Sequence, residues 1–409
     1  MEKWRLDFPF FNTSLNKQIV YLDNAATTQK PQAVIDAIVH FYTYDNANAG
    51  RGIYALGERA TILYESARRT VANFISAHDP SEIVFTSGAT ESINMVAHAW
   101  ALNNLTAGDE IAVTQLEHHA NLLPWQWVAQ KTGAHLKHMP LTTQQGDLDY
   151  SSLDTIITNK TRLIAVTHVS NALGTTVDIN LLTKKAHAVG ARILVDASQS
   201  IAHRRINIDK LNIDFLAFSA HKMFGPMGIG VLYVKKEVHA QLIPYRLGGG
   251  MVYSALSDSA TWQPMPHMLE AGTAPLAQAV GLAAAINYLQ AINFDQIQEH
   301  EAKLCARTIN GLSRLPYIHI LGPVEQLKKE GHIVAFVVEG MHAHDVAAYL
   351  DMYGICVRAG HHCAQPLAHV LGYDASVRVS FSLYSTYAEV NALLNALVEL
   401  KESGFLKSV

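Results

Sequence analysis

Six short and almost wholly apolar runs recur along this chain between stretches of helical spacing: Ile83-Val-Phe85, Ile111-Ala-Val113, Leu163-Ile-Ala-Val166, Ile193-Leu-Val195, Phe215-Leu-Ala-Phe218 and Val231-Leu-Tyr-Val234. A strand whose consecutive residues are all apolar has both faces covered, the condition inside a mostly parallel sheet packed by helices on either side. Ligands of such sheets gather beyond the carboxyl ends of the strands. Polar groups follow five of the runs there: Thr86-Ser-Gly-Ala-Thr90-Glu91, Glu117-His-His-Ala120, Ser170-Asn171, Asp196-Ala-Ser-Gln199 and Ser219-Ala-His-Lys222.

Length and composition fit this α/β reading. The 409 residues are 49% hydrophobic and 16% charged, enough for a large core and a second unit. A net charge of -4 with mixed signs leaves no basic stripe and argues against nucleic acid. No apolar stretch is long enough to cross a membrane and MEKWRLDFPFF lacks a signal-peptide pattern, so a cytoplasmic protein is expected. Cys305, Cys356 and Cys363 are odd in number and lack CxxC spacing, which fits free thiols in a reducing compartment.

Three units are expected. Residues 1–20 read as an arm packing with the smaller unit, 21–290 as the large domain, and 291–409 as a smaller α+β domain. The last has helices near 294–314 and 343–353, and strands near 317–320, 332–338, 355–358 and 376–381. Asn46-Ala-Asn-Ala-Gly-Arg-Gly52 reads as a flexible loop and Leu56–Ile75 as an amphipathic helix. Residues 248–275 run from a triple glycine through Glu270-Ala-Gly-Thr273 without periodicity and read as a functional or interface loop.

Lys222 is flanked by Phe215, Leu216, Phe218 and Phe224 before the bend containing Gly225, Gly228 and Gly230. Partial desolvation there disfavours the ammonium and exposes a nucleophilic amine able to form a Schiff base; a surface lysine in a hairpin loop is the alternative. A pyridoxal phosphate site also needs a carboxylate for the ring nitrogen, a stacking group and a phosphate cup. Asp196 suits the first role, or equally caps the next turn. Gly88, Ala89 and Thr90 at a helix start suit phosphate. His118 can lie over the ring, and Asn171 and Gln199 can reach its phenolic oxygen, although either amide taken singly reads as well as a polar loop residue.

Eight motifs in consistent order carry a resemblance: Leu22-Asp-Asn-Ala-Ala26, Thr86–Glu91, Glu117-His-His-Ala-Asn121, Thr167-His-Val-Ser-Asn171, Val195-Asp-Ala-Ser-Gln199, Ser219–Lys222, Glu270–Thr273 and Arg358-Ala-Gly-His-His-Cys-Ala-Gln365. Over nearly its whole length the chain resembles the group II (SufS/CsdA-like) cysteine desulfurases, which include selenocysteine lyases. The resemblance implies the fold type I, class V aminotransferase architecture and pyridoxal 5'-phosphate as cofactor. It makes Lys222 the Schiff-base lysine, Asp196 the ring-nitrogen partner, His118 the stacking group, and Asn171 and Gln199 ring-oxygen contacts. Ala89, Thr90, Ser219 and His221 hold phosphate, with Thr273 reaching the phosphate of the other subunit of a homodimer. Asn24, Asn171, Arg358 and Arg378 contact the substrate, Arg378 as a fork for its carboxylate.

The mechanism so implied takes the α-proton of L-cysteine to Lys222 and attacks the substrate sulfur with the Cys363 thiolate, leaving alanine and a Cys363 persulfide. A small sulfur-acceptor protein, in iron-sulfur cluster assembly or another sulfur-transfer route, then receives the sulfur. L-Selenocysteine is the alternative substrate. A kynureninase-like hydrolase or an epimerase of the same class shares Lys222 and Asp196 but has no need of Cys363. Gly50, Ala220 and Ala274-Pro275 depart from the family pattern and bear on substrate preference, the phosphate cup and the dimer loop. A metal held by His118, His119, His361, His362 and Cys363 is the rival of another class, opposed by the lack of HExxH or paired CxxC spacing; no metal is expected.

Overall fold

The computed structural model describes residues 2–50, 52–142 and 146–402; Arg51, within the expected loop at 46–52, and the last seven residues of the smaller unit lie outside them. Among the described residues the apolar runs become strands of a seven-stranded sheet: β1 (Ile83–Thr86), β2 (Glu110–Thr114), β3 (His135–Met139), β4 (Thr161–Thr167), β5 (Arg192–Asp196), β6 (Phe215–Ser219) and β7 (Gly230–Val234), in the order β1-β7-β6-β5-β4-β2-β3. All neighbours from β6 to β3 pair parallel, while β7 runs antiparallel to both β6 and β1. Two reversals restore the direction, so β1 points the same way as β2, β4, β5 and β6. Five carboxyl ends therefore meet along one edge.

Alternation explains why the strands are apolar throughout. Ile193, Val195, Leu216 and Phe218 enter one buried cluster with the helices Gln32–His40 (α1), Ala55–Ile75 (α2) and Leu276–Gln290 (α4), whereas Leu194, Phe215 and Ala217 enter another with Ala89–Val96 (α3). Successive side chains of a strand face opposite ways, so two covered faces demand two apolar sets. β3 is the exception. Its sequence His135-Leu-Lys-His-Met139 lies at the sheet edge, largely exposed, and carries no apolar signature.

A second sheet, entirely antiparallel, is formed by Ile318–Leu321 (β8), Ile333–Val338 (β9), Arg358–Gly360 (β10) and Ser376–Ser380 (β11), in the order β8-β9-β11-β10. It packs on Phe294–Leu312 (α5) and on Tyr387–Glu402 through a third cluster including Leu304, Phe336, Val379 and Leu397. The N-terminal arm touches both units. Val20–Tyr21 pairs in parallel with Ile355–Cys356, while Phe8 is fully buried against Phe224, Tyr288 and Tyr384. Residues of the arm thus meet Ile355 and Tyr384 of the later stretch and also Phe224 and Tyr288 of the earlier one. In the long loop at 248–275, Val252–Ala255 and Ala260–Trp262 form a hairpin that stands largely exposed.

Candidate active site

The carboxyl edge of the large sheet and the rim of the small one enclose a cavity of about 510 Å³, lined among others by Ala89, Thr90, His118, Asn171, Asp196, Gln199, Ser219, His221, Lys222, Arg358, Cys363 and Arg378. Twelve of the fourteen predicted site residues therefore converge. Asn24 and Thr273 do not line it. Asn24 donates to Ser380 O (2.6 Å) and accepts from the Tyr384 hydroxyl, so its amide ties the N-terminal segment to β11 while Ala25 and Ala26 face the cavity. Thr273 is exposed and lines a separate cavity of about 580 Å³ with Tyr54, Gly249, Gly250 and Glu270.

Lys222 closes the short 3-10 turn Ala220–Lys222 directly after β6. The preceding carbonyl, that of His221, accepts from Thr28 N (3.1 Å), the Thr27 and Thr28 hydroxyls (both 3.1 Å) and Lys30 Nζ (2.9 Å). Residues 27–30 thereby grip the turn. Burial lowers the Lys222 amine to about 8, with Asp196 opposing the shift. Burial also lowers Lys30 to about 7, and its ammonium meets carbonyls, of Thr28 at 2.6 Å and of His221.

Asp196 ends β5 and accepts from Ser198 N at 2.9 Å. His118 follows β2; its Nδ1 accepts from Ala120 N (3.0 Å), which leaves the proton of the neutral ring on Nε2. Burial and then the charge of Lys222 push its pKa down to about 4. Beneath it Glu117 accepts from Thr114 Oγ1 (2.5 Å), Asn121 Nδ2 (2.6 Å) and Thr167 N (2.9 Å), and burial raises it to about 8.

The phosphate candidates sit where α3 begins. Ser219 Oγ accepts from Ala89 N at 2.8 Å, so one amide of the helix end is already engaged, while Thr90 is exposed and His221 Nδ1 lies 3.2 Å from Thr27 Oγ1. Gly230 has a role the sequence does not reveal: a Cβ there would stand 2.5 Å from Gly88 Cα, so its glycine admits another backbone rather than a ligand. Asn171 and Gln199 donate to His362 O (2.6 Å) and Ala25 O (2.7 Å). Each carboxamide keeps its oxygen for other partners.

Arg358 and Arg378 share a carboxylate that the sequence reading left unassigned. Asp23 meets Arg358 Nη2 at 2.7 Å and Arg378 Nη2 at 3.3 Å, while Arg378 Nη1 donates to Asn171 O at 2.7 Å. Arg378 is buried, its Nε has no partner among the described residues, and burial lowers its pKa to about 10, so it stays cationic. Asp23 belongs to the Leu22–Ala26 motif, and only the fold brings residues 23, 358 and 378 together.

Cys363 is exposed at the cavity wall, between β10 and the helix Gln365–Leu371 (α6). His362 and Cys363 have φ of 54° and 55°, a left-handed pair that costs about 1–2 kcal/mol per residue for side chains bearing a Cβ. Cys305 is buried and Cys356 half-buried, and burial raises both thiols.

Three of the four histidines considered as metal ligands have other ring partners, His118 through the Ala120 N–H. His119 Nε2 accepts from Gln365 N (3.2 Å) and His362 Nε2 pairs with Ser376 Oγ (2.9 Å). A different trio, buried His203, Glu301 and His332, clusters between the two units. Its two rings stack at 3.7 Å with planes 15° apart. A metal bound through a ring nitrogen lies in that ring's plane, and planes so stacked share no point close to both nitrogens.

Against known proteins, the aminotransferase class-V family model matches residues 20–393. A probable cysteine desulfurase of Streptomyces coelicolor is 44% identical over 98% of this chain and 97% of its own length. The chain belongs to the cysteine desulfurase family. The cysteine desulfurase of Cronobacter sakazakii is 41% identical, with 98% of each chain covered. Among solved structures, the Thermococcus onnurineus cysteine desulfurase superposes with a TM-score of 0.93 at 41% identity, and CsdA of Escherichia coli with 0.90 at 39%, each covering 98% of both chains. The expected class V, fold type I architecture is therefore the one this cysteine desulfurase family member has. No helix among the described residues is long and apolar enough to cross a membrane.

Proposed function

We propose that this chain is a pyridoxal phosphate-dependent cysteine desulfurase that converts L-cysteine to L-alanine and captures the sulfur on Cys363. The observation that carries this reading is the meeting of Lys222, Asp196, His118, Arg378 and Cys363 in one cavity. The donors suit the cofactor: an amine held near 8, a carboxylate one strand away, a neutral imidazole, a helix start beside Ser219, and a buried guanidinium with a free Nε. Lys222 would hold the aldehyde carbon, Asp196 the ring nitrogen and His118 a ring face. Asn171 and Gln199 would reach the phenolic oxygen, and Ala89, Thr90, Ser219 and His221 the phosphate. When bound, pyridoxal phosphate supplies an electron sink for bonds to the substrate's α-carbon.

The chain's own groups then divide the work. Arg378, with Arg358 on the same side, binds the substrate carboxylate through its fork, exchanging Asp23 for the ligand. Lys222, a free amine above about pH 8, takes the α-proton on Nζ. His118 stays neutral and presents its Nε2 proton. The Cys363 thiolate attacks the substrate sulfur: a sulfur–sulfur bond forms, the carbon–sulfur bond breaks with its electron pair left on carbon, and protonation of that carbon gives alanine. Cysteine plus enzyme thiol thus yields alanine plus enzyme persulfide without an outside oxidant.

Several partners belong to the same proposal. The exposed position of Cys363 supports handover to a small acceptor protein. The exposed apolar side chains Ile53, Tyr54, Tyr253 and Leu256, of which Tyr54 lines the cavity of Thr273, support a homodimer in which Thr273 reaches the second site. Free thiols support the cytoplasm. The test is alanine release from L-cysteine and from L-selenocysteine, with reductant, by the parent chain and Cys363→Ala. The variant is expected to lose only the cysteine reaction. A parent chain loaded with pyridoxal phosphate that releases alanine from neither substrate would overturn the assignment.

A further inference from the structure

The Cys363 turn is held from outside by a residue with no assigned part in the reaction. The backbone N–H of His119 donates to Cys363 O at 2.7 Å, and the Nε2 of its ring accepts from Gln365 N at 3.2 Å. His119 therefore grips the turn at Cys363 itself and again two residues beyond it. From the cavity side Asn171 Nδ2 holds His362 O at 2.6 Å, and His362 is pinned on Ser376. The two left-handed residues, 362 and 363, each carry one of these holds on the carbonyl. An exposed turn in an unfavourable conformation keeps its shape only where the surroundings over-determine it. His119 is well suited to accept, because burial and the nearby His361 lower its pKa and keep the ring neutral.

We propose that His119 is a positioning residue for sulfur capture, fixing the Cys363 turn so that the thiolate meets the substrate sulfur in the cavity. This rests on the desulfurase reading above. Removing the ring leaves the backbone bond from residue 119 to Cys363 in place, so His119→Ala takes away the hold on Gln365 alone.

The experiment compares holoenzyme of the parent chain, His119→Ala and His119→Gln, the last offering an amide oxygen to the Gln365 N–H. Three quantities are read: KM and kcat for alanine release, the change in cofactor absorbance on mixing with L-cysteine, and the Cys363 persulfide per turnover by mass spectrometry. His119→Ala is expected to lose about tenfold or more in kcat and in persulfide formation. KM and the absorbance change should stay within about twofold, and His119→Gln should recover most of the loss. An Ala variant that forms persulfide within about twofold of the parent overturns the inference. So does one that loses the absorbance change as well, or a Gln variant no better than Ala. A parent chain that forms no Cys363 persulfide overturns the desulfurase reading itself, an outcome distinct from an unaffected His119→Ala beside an active parent.

Discussion

Replacing Glu270 tests how the loop bearing Thr273 is anchored. Glu270 accepts from Arg68 Nη1 (2.6 Å) and Nη2 (2.9 Å), from the Tyr64 hydroxyl (3.0 Å) and from Phe85 N (2.7 Å). Arg68 is 1% exposed, so Glu270→Leu strands a guanidinium inside the protein. Breaking a buried pair from one side costs about 3–5 kcal/mol. The lower end applies, because Glu65 remains 3.0 Å from Arg68 Nε and Ile83 O 2.8 Å from Nη1. The abandoned Phe85 amide adds about 1 kcal/mol, for a total of about 4 kcal/mol. Urea unfolding followed by circular dichroism measures this. The double variant Arg68→Met/Glu270→Leu should recover all but about 1–2 kcal/mol, since an apolar pair leaves no charge behind. A single variant within about 1 kcal/mol of the parent, or a double variant less stable than the single, would refute the reasoning.

Two further outcomes are expected. Lys222 is lowered to about 8, so the free amine that takes the α-proton is the minor form below that pH; exchange of the α-hydrogen of L-cysteine with solvent should rise as pH climbs through about 8 and level off above it, and a rate flat from pH 6 to 9 would count against Lys222 as the base. Gly230→Ala would set a Cβ 2.5 Å from Gly88 Cα, displacing the start of α3; pyridoxal phosphate should dissociate about tenfold faster, read by transfer to an apo acceptor enzyme, with unchanged release as the contrary result.

The large sheet was legible because both its faces are buried: strands such as Leu163–Val166 and Phe215–Phe218 had to be apolar at every position, and the polar residues after them had to lie on one edge. β3 was not, since an edge strand with exposed faces tolerates His135, Lys137 and His138. The cavity residues were readable as motifs in order, yet pairings were not. Nothing in one dimension brings Asp23 to Arg358 and Arg378, or turns Asn24 away to Ser380 and Tyr384. Likewise His119 looked like half of a histidine pair, and its hold on Gln365 exists only because the small unit folds back over the end of β2.

The seating of Phe8 among Phe224, Tyr288 and Tyr384 sets a schedule for synthesis. Phe8 awaits partners made hundreds of residues later, and Asp23 waits for Arg378 in the same way. Long loops must close before these contacts give any return, so the cavity can be completed only when nearly the whole chain has emerged. A nascent chain halted before Tyr384 would leave Phe8 without one of the three rings that seat it, a gap closed only by the residues that follow β11.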